Sequence, residues 1–203
     1  MPLTETAWEI FNQSIADYHV YDNVDTPIKN PYESNSLEHI LYAKNWIDTV
    51  QWHLEDLIRD EEISDADVVK LKRRIDASNQ ERTDLVEYID SYFLHRFKDI
   101  RPNTTARINT ETPAWAFDRL SILALKVYHM DLEANRESAT EDHRAKCKAK
   151  LDVLLEQKSD LMTSIEQLLN DIESGHVRMK VYKQMKMYND ESLNPILYQR
   201  ESK

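Results

Sequence analysis

The side chains with the most chemical potential in this chain are polar groups on, or directly beside, the apolar faces of predicted helices. Asp48 and Glu55 lie one heptad apart on one segment, Asn79 and Arg82 on a second, and Asp118, Arg119 and Lys126 on a third. Guanidinium and ammonium groups in such positions suit a phosphate or carboxylate, held through charge-assisted hydrogen bonds. Carboxylates and amides suit hydroxyls. Burying an unpaired charge is costly, so each of these groups requires a partner or a ligand. Two readings are open: an internal salt-bridge network that fixes helix register, and a pocket whose unmatched charges receive a substrate. Asp76 and Asp90, on the flank of the second segment, read as exposed.

A second chemistry uses carboxylates alone. Glu87 and Asp90 form an E-x-x-D step, and with Asp48 and Glu55 on a facing helix they could hold Mg²⁺ against a nucleotide diphosphate. That arrangement resembles the all-helical nucleotide pyrophosphohydrolases, although the leading E-E-x-x-E cluster of that family is absent. A ferritin-like di-iron site needs paired Glu-x-x-His motifs on two helices, and no such pair occurs. Zinc finds one cysteine and seven scattered histidines, each of which reads as a surface or satisfied side chain. No metal or other cofactor is expected, save Mg²⁺ under the hydrolase alternative. Cys147 reads as a small apolar residue on a helix face with no activating neighbour, and a single cysteine suits a reducing cytoplasm.

Composition excludes whole classes of site. Gly175 is the only glycine in 203 residues, where average usage near 7% would give roughly 14. Dinucleotide turns, P-loops and nucleophile elbows all need glycine and are ruled out. Any phosphate must therefore be held by side chains, a metal or a helix N-terminus. Lys and Arg number 26 against 37 Asp and Glu, a net charge of −11. That acidity argues against nucleic acid and against adhesion to anionic membranes. The longest apolar runs, Ala114–Phe117 and Ile122–Leu125 among them, are far too short to span a bilayer, and Met1–Glu5 carries no signal-peptide pattern.

The elements that must position these residues are helical throughout. Helix 1 is expected over about 7–21, opened by a capping box of Thr6 and Glu9. Helix 2 covers about 36–60, with Ile40, Ala43, Ile47, Val50, Leu54 and Leu57 as its apolar seam. Helix 3 runs about 65–99 from an N-cap at Ser64, with a candidate break at 77–80, where Ser and Asn compete for backbone hydrogen bonds. Helix 4 opens on Thr112 and Pro113, ends near Arg136, and is apolar on every side, the mark of a central helix. Helix 5 runs about 139–174 from a box of Ser138 and Glu141, and Gly175 supplies its left-handed stop. A basic helix carrying Arg178, Lys180, Lys183 and Lys186 is expected over 176–188, followed by an irregular tail over 190–203. Helices 3 and 5 would each reach roughly 50 Å, so they project, form a dimer surface, or break.

The runs Asn45–Asp56, Leu85–Asp90, Asn109–Trp115, Asp118–Leu123 and Lys183–Asn189 together resemble an uncharacterised bacterial family, the domain-of-unknown-function family 4254. The likeness spans nearly the whole chain, and it carries over no catalytic residue. The stretch Asp118–Leu123 with Lys126 is also similar to other uncharacterised helical domains associated with cell-surface glycan assembly. The resemblance implies a setting beside glycosyltransferases and a nucleotide-sugar or phosphorylated glycan-precursor ligand.

The expectation is one all-α domain over 1–203, an antiparallel bundle of five long helices with a short basic C-terminal helix and tail over 176–203. Three functions follow. The first is an accessory, ligand-binding protein of envelope-glycan assembly. It would use Arg82, Arg119 and Lys126 toward phosphate, Asp48, Glu55, Asn79 and Asp118 toward hydroxyls, and a glycosyltransferase as partner. The second is the Mg²⁺-dependent hydrolase using Asp48, Glu55, Glu87 and Asp90. The third is a structural adaptor for a partner enzyme, with the polar residues as register pins. A homodimer is open under all three.

Overall fold

The computed structural model describes residues 1–183 and 192–199. Five long helices pack against one another: α1 Leu3–His19, α2 Leu37–Leu57, α3 Asp65–Arg96, α4 Pro113–Asn135 and α5 Glu141–Glu173. A single helical turn, α6 Pro195–Tyr198, lies in the tail. Among the described residues no strand forms, and no helix is long and apolar enough to cross a membrane.

Local chemistry sets most helix ends. The Ser36, Ser64, Thr112 and Thr140 side chains each accept a backbone N–H of their own first turn, satisfying a donor the helix leaves orphaned. Pro113 takes the first position of α4, where its missing N–H costs nothing. Gly175 ends α5 at φ +73°, with His176 N–H donating to Asp171 O at 2.8 Å and its own N–H to Ile172 O at 3.0 Å. Those two bonds make a Schellman motif.

Four expectations are corrected. Helix α1 begins four residues before the expected start, and Thr6 caps nothing. Instead the Thr4 backbone and hydroxyl both donate to Glu166 of α5 at 2.8 Å, so a distant carboxylate satisfies the helix start. At α5 the N-cap is Thr140 rather than Ser138, because a turn closed by Ala139 N–H to Arg136 O carries the chain past it. Helix α3 does not break at 77–80. The Ser78 hydroxyl donates to Gln51 Oε1 at 3.2 Å and Asn79 Oδ1 accepts from Gln51 at 2.8 Å, so both side chains engage α2 rather than their own backbone. The basic helix is absent over 176–183, and the remainder of its expected span lies outside the described residues. Residues after Gly175 run extended because their backbone is spent elsewhere. Arg107 N–H donates to His176 O at 3.0 Å and Arg178 N–H to Arg107 O at 2.9 Å, a parallel bridge between Arg107 and Val177.

Helix α4 packs against all four other long helices, as its all-round apolar surface requires. Phe117, Leu120, Ala124 and Leu125 join Phe11, Ile15, Leu41, Ile89, Phe93 and Ile165 in one buried cluster. Contacts such as Gln51 to Ser78 and Glu133 to His143 make α2–α3 and α4–α5 antiparallel. Helices α1, α2 and α4 run the same way, shown by the pairs Ser14–Tyr42 and Tyr18–His53, then Asn45–Ser121 and Trp52–His129. The long connection over 20–36 permits this by returning the chain to the start of the bundle before α2. On the α5 seam, Lys158 Nζ lies 4.2 Å from the centre of the Trp8 ring, a cation–π contact.

Candidate functional site

The polar lines of α2, α3 and α4 meet in one place. Asp48 of α2 receives three donors: Lys44 Nζ, Arg82 Nε at 2.9 Å, and the Ser121 hydroxyl at 2.6 Å. Asp118 of α4 receives Lys44 Nζ at 2.6 Å, and Arg82 Nη2 at 2.8 Å to each carboxylate oxygen. Asn45 donates to the Ser121 hydroxyl at 3.0 Å, while its own Oδ1 is buried with no partner among the described residues. Lys44, Asn45, Asp48, Asp118 and Ser121 are all buried, and the Arg82 side chain is 24% exposed. Two cations face two anions, so the cluster is neutral as a whole. Every carboxylate oxygen of Asp48 and Asp118 accepts at least one hydrogen bond from within the cluster.

On the solvent side of this cluster lies a cavity of about 410 Å³ between α2, α3 and α4. Asp48 and Arg82 form its deep end, Trp52, Ile122 and Leu125 its walls, and Gln51, Glu55, Asp56 and Arg59 its mouth. Arg82 thus has two of its nitrogens held by carboxylates and a face turned to the cavity. At the mouth Arg59 reaches Glu55 at 3.3 Å, an exposed pair that a ligand can part at small cost. Trp52 is fixed from behind by the His129 ring, stacked at 4.8 Å and 7°.

Metal-ligating side chains gather in two places among the described residues: His19 with His53 and His129, and Glu133 with His143 and Cys147.

The family model for proteins of unknown function called DUF4254 matches residues 38–181. The chain belongs to the DUF4254 family. No curated protein matches it, and no solved structure does. The matched span takes in α2 to α5 and so contains every side chain of the neutral cluster and of the cavity.

The seven site residues expected from the DUF4254 sequence are divided by the fold. Asp48, Arg82 and Asp118 come together, and Glu55 lies at the mouth of the same cavity. Asn79 is turned to Gln51. Arg119 points away from Asp118, forking onto Glu111 with Nε 2.9 Å from Oε2. With Lys126 it lines a separate groove between α4 and α5. The four carboxylates of the Mg²⁺ alternative are not brought together. Asp48 is enclosed by cations, and Asp90 sits about 12 Å further along α3 from Arg82 by helical rise. Asp90 is also buried, at 3% exposure, not solvated as expected. Burial pushes its carboxyl up to about 6, against a hydrogen bond from Thr112.

Two participants escaped the pattern. Lys44 is not among the residues that the sequence pattern singles out, yet it is 1% exposed. Its spacing of four from Asp48 was the available signal. Cys147 does have a neighbour, since Sγ lies 3.3 Å from His143 Nε2, one helical turn before it. The same nitrogen meets Glu133 at 2.8 Å, so no relay through the two ring nitrogens is formed.

Proposed function

We propose that this DUF4254 protein binds a small phosphorylated, hydroxyl-bearing ligand in the cavity between α2, α3 and α4. The observation that carries the reading is Arg82, clamped by Asp48 and Asp118 and facing a cavity with an apolar aromatic wall. A guanidinium fixed in this way recognises an anionic group without first losing side-chain freedom. Arg59 adds a second, movable cation, Trp52 offers a flat face to a sugar ring, and Gln51, Glu55 and Asp56 suit hydroxyls. A volume of 410 Å³ fits a sugar phosphate and lies within the range of small-molecule sites. Nucleotide sugars and phosphorylated glycan precursors belong to this class, with a glycosyltransferase as the protein that supplies or receives the ligand.

The test is calorimetric titration of the purified protein with a panel of sugar phosphates and nucleotide sugars. One member should bind, and Arg59→Ala should weaken it by about 10- to 100-fold, the worth of a charged hydrogen bond. Trp52→Ala should weaken it too, and Arg119→Ala, in the other groove, should not. The reading fails if nothing in the panel binds, or if Arg119→Ala alone removes binding.

A further inference from the structure

Three imidazoles converge where α1, α2 and α4 lie side by side. His19 is the last residue of α1, His53 lies on the fifth turn of α2, and His129 lies toward the end of α4. One ring nitrogen from each lies within 4.8 Å of the other two. His19 Nε2 and His53 Nε2 are 3.2 Å apart. Two imidazoles bound to one tetrahedral ion at about 2.0–2.1 Å place their nitrogens about 3.3 Å apart, so that separation is already the one a shared ion imposes.

The surrounding hydrogen bonds turn the His19 lone pair toward the other two rings. His19 Nδ1 is 2.7 Å from Ile15 O, a carbonyl that can only accept, so the proton of neutral His19 sits on Nδ1. Its Nε2 is then a lone pair aimed at His53. In the metal-free protein His53 Nε2–H therefore donates to His19 Nε2 at 3.2 Å, and ligation would move that proton to His53 Nδ1, which lies 3.8 Å from the Asp56 carboxylate. His129 Nε2 is buried with no partner among the described residues. A ring N–H given to a carbonyl or carboxylate while the other nitrogen points inward is the arrangement that orients metal-bound histidines.

The rings are also held stiffly, in a cyclic pattern. Each histidine follows an aromatic residue in the chain, and each of those aromatics packs on the next histidine. Tyr18 stacks on His53 at 5.2 Å and 8°, Trp52 on His129 at 4.8 Å and 7°, and Tyr128 packs on His19 at 4.5 Å. Burial and mutual repulsion lower the His53 pKa and bring that of His129 to about 4. Both shifts favour the neutral imidazole, the form that ligates an ion. Asp22, at φ +48° just beyond α1, brings Oδ1 to 4.0 Å from His19 Nε2 and is available as a fourth ligand.

We propose that His19, His53 and His129 form a site for one divalent first-row transition ion, with a fourth position open to Asp22 or water. Three imidazoles with an open position suit Zn²⁺ above the hard cations Mg²⁺ and Ca²⁺. The site stands apart from the ligand reading of the cavity but shares its wall, since Trp52 lies between them.

The test uses the full chain, stripped with a chelator and titrated with Zn²⁺ and separately with Co²⁺, with no sugar ligand present. One Zn²⁺ per chain should bind with a Kd below about 1 μM and raise the melting temperature. His53→Gln and His19→Gln should each weaken binding by about 100-fold, while His143→Gln, in the other cluster, should leave it unchanged. The Co²⁺ protein should show visible d–d absorption without a sulfur-to-cobalt charge-transfer band, a readout of the wild-type protein that does not depend on any variant folding. No saturable binding up to about 100 μM Zn²⁺ overturns the proposal. So does a charge-transfer band, or binding that His143→Gln removes and His53→Gln spares.

Discussion

Lys44 and Asp118, on different helices, form an ion pair of 2.6 Å with both side chains almost wholly withdrawn from water, at 1% and 6% exposure. Desolvating two charges costs several kcal/mol each, and the cluster offsets that cost by giving every carboxylate oxygen at least one donor. Removing one member leaves an uncompensated charge in place. Lys44→Met should therefore lower the unfolding free energy by about 3–5 kcal/mol, measured by urea denaturation. Lys44→Met combined with Asp118→Leu restores neutrality, because Asp48 and Arg82 still pair, and should cost less than the two single changes added together. Equal sums would show that the pair is not coupled.

Asp90 should make the protein less stable as pH rises. Its carboxyl is held near 6 in the folded state by burial and by Glu87, with Thr112 acting against them, so between pH 4 and 6 the folded chain binds more protons than the unfolded one. Stability is lost over that window as Asp90 ionises. Asp90→Asn should gain on the wild type by about 2–3 kcal/mol between pH 4 and pH 7. A stability difference that stays flat across that range would count against a raised Asp90.

The histidine cluster should act in the opposite sense in metal-free protein. The folded-state pKa of His129 is lowered to about 4 by burial, then by His53 and His19, against the pull of Asp56 and Asp22. Between pH 6.5 and 4 the unfolded chain binds the extra proton, so stability falls as pH falls through that window and is fully present above it. His129→Gln should flatten this slope in denaturation curves taken at several pH values. A slope unchanged by the substitution would place its origin elsewhere.

Gly175→Ala should destabilise the end of α5. At φ +73° an L-residue is strained, and the added Cβ would lie 3.0 Å from the Arg101 carbonyl oxygen, a backbone atom with little room to yield. The expected loss is about 1–3 kcal/mol. Because the bond from Asn103 N–H to Gly175 O ties the 101–107 loop to this turn, hydrogen exchange at Asn103 and Arg107 should also quicken.

The features legible in the sequence are those whose causes are local. Ser64, Thr112, Pro113 and Gly175 mark helix ends because a cap or a left-handed turn is decided within a few residues. Where a partner comes from far away, the local signal misleads. Glu166 replaced the Thr6 cap, and the 103–107 loop took the backbone of the expected basic helix. Arg82, Asp118 and His129 stood out as polar groups on apolar faces and Asp48 on the flank of one, while Lys44, His19 and His53 did not. A lysine near a carboxylate and scattered histidines look alike on a surface and in a core.

The sequence by itself determined the all-α class, the helix ends set by local caps, the central place of α4 and the exclusion of any glycine-loop anion site. Tertiary structure decided which polar residues meet. Successive helical residues point about 100° apart, so Asp118 enters the buried cluster while Arg119, its immediate neighbour, turns to solvent and Glu111. The same rotation gathers His19, His53 and His129 from three helices onto one spot. Packing fixes those rotations by burying apolar area, and the polar groups are carried wherever that burial places them.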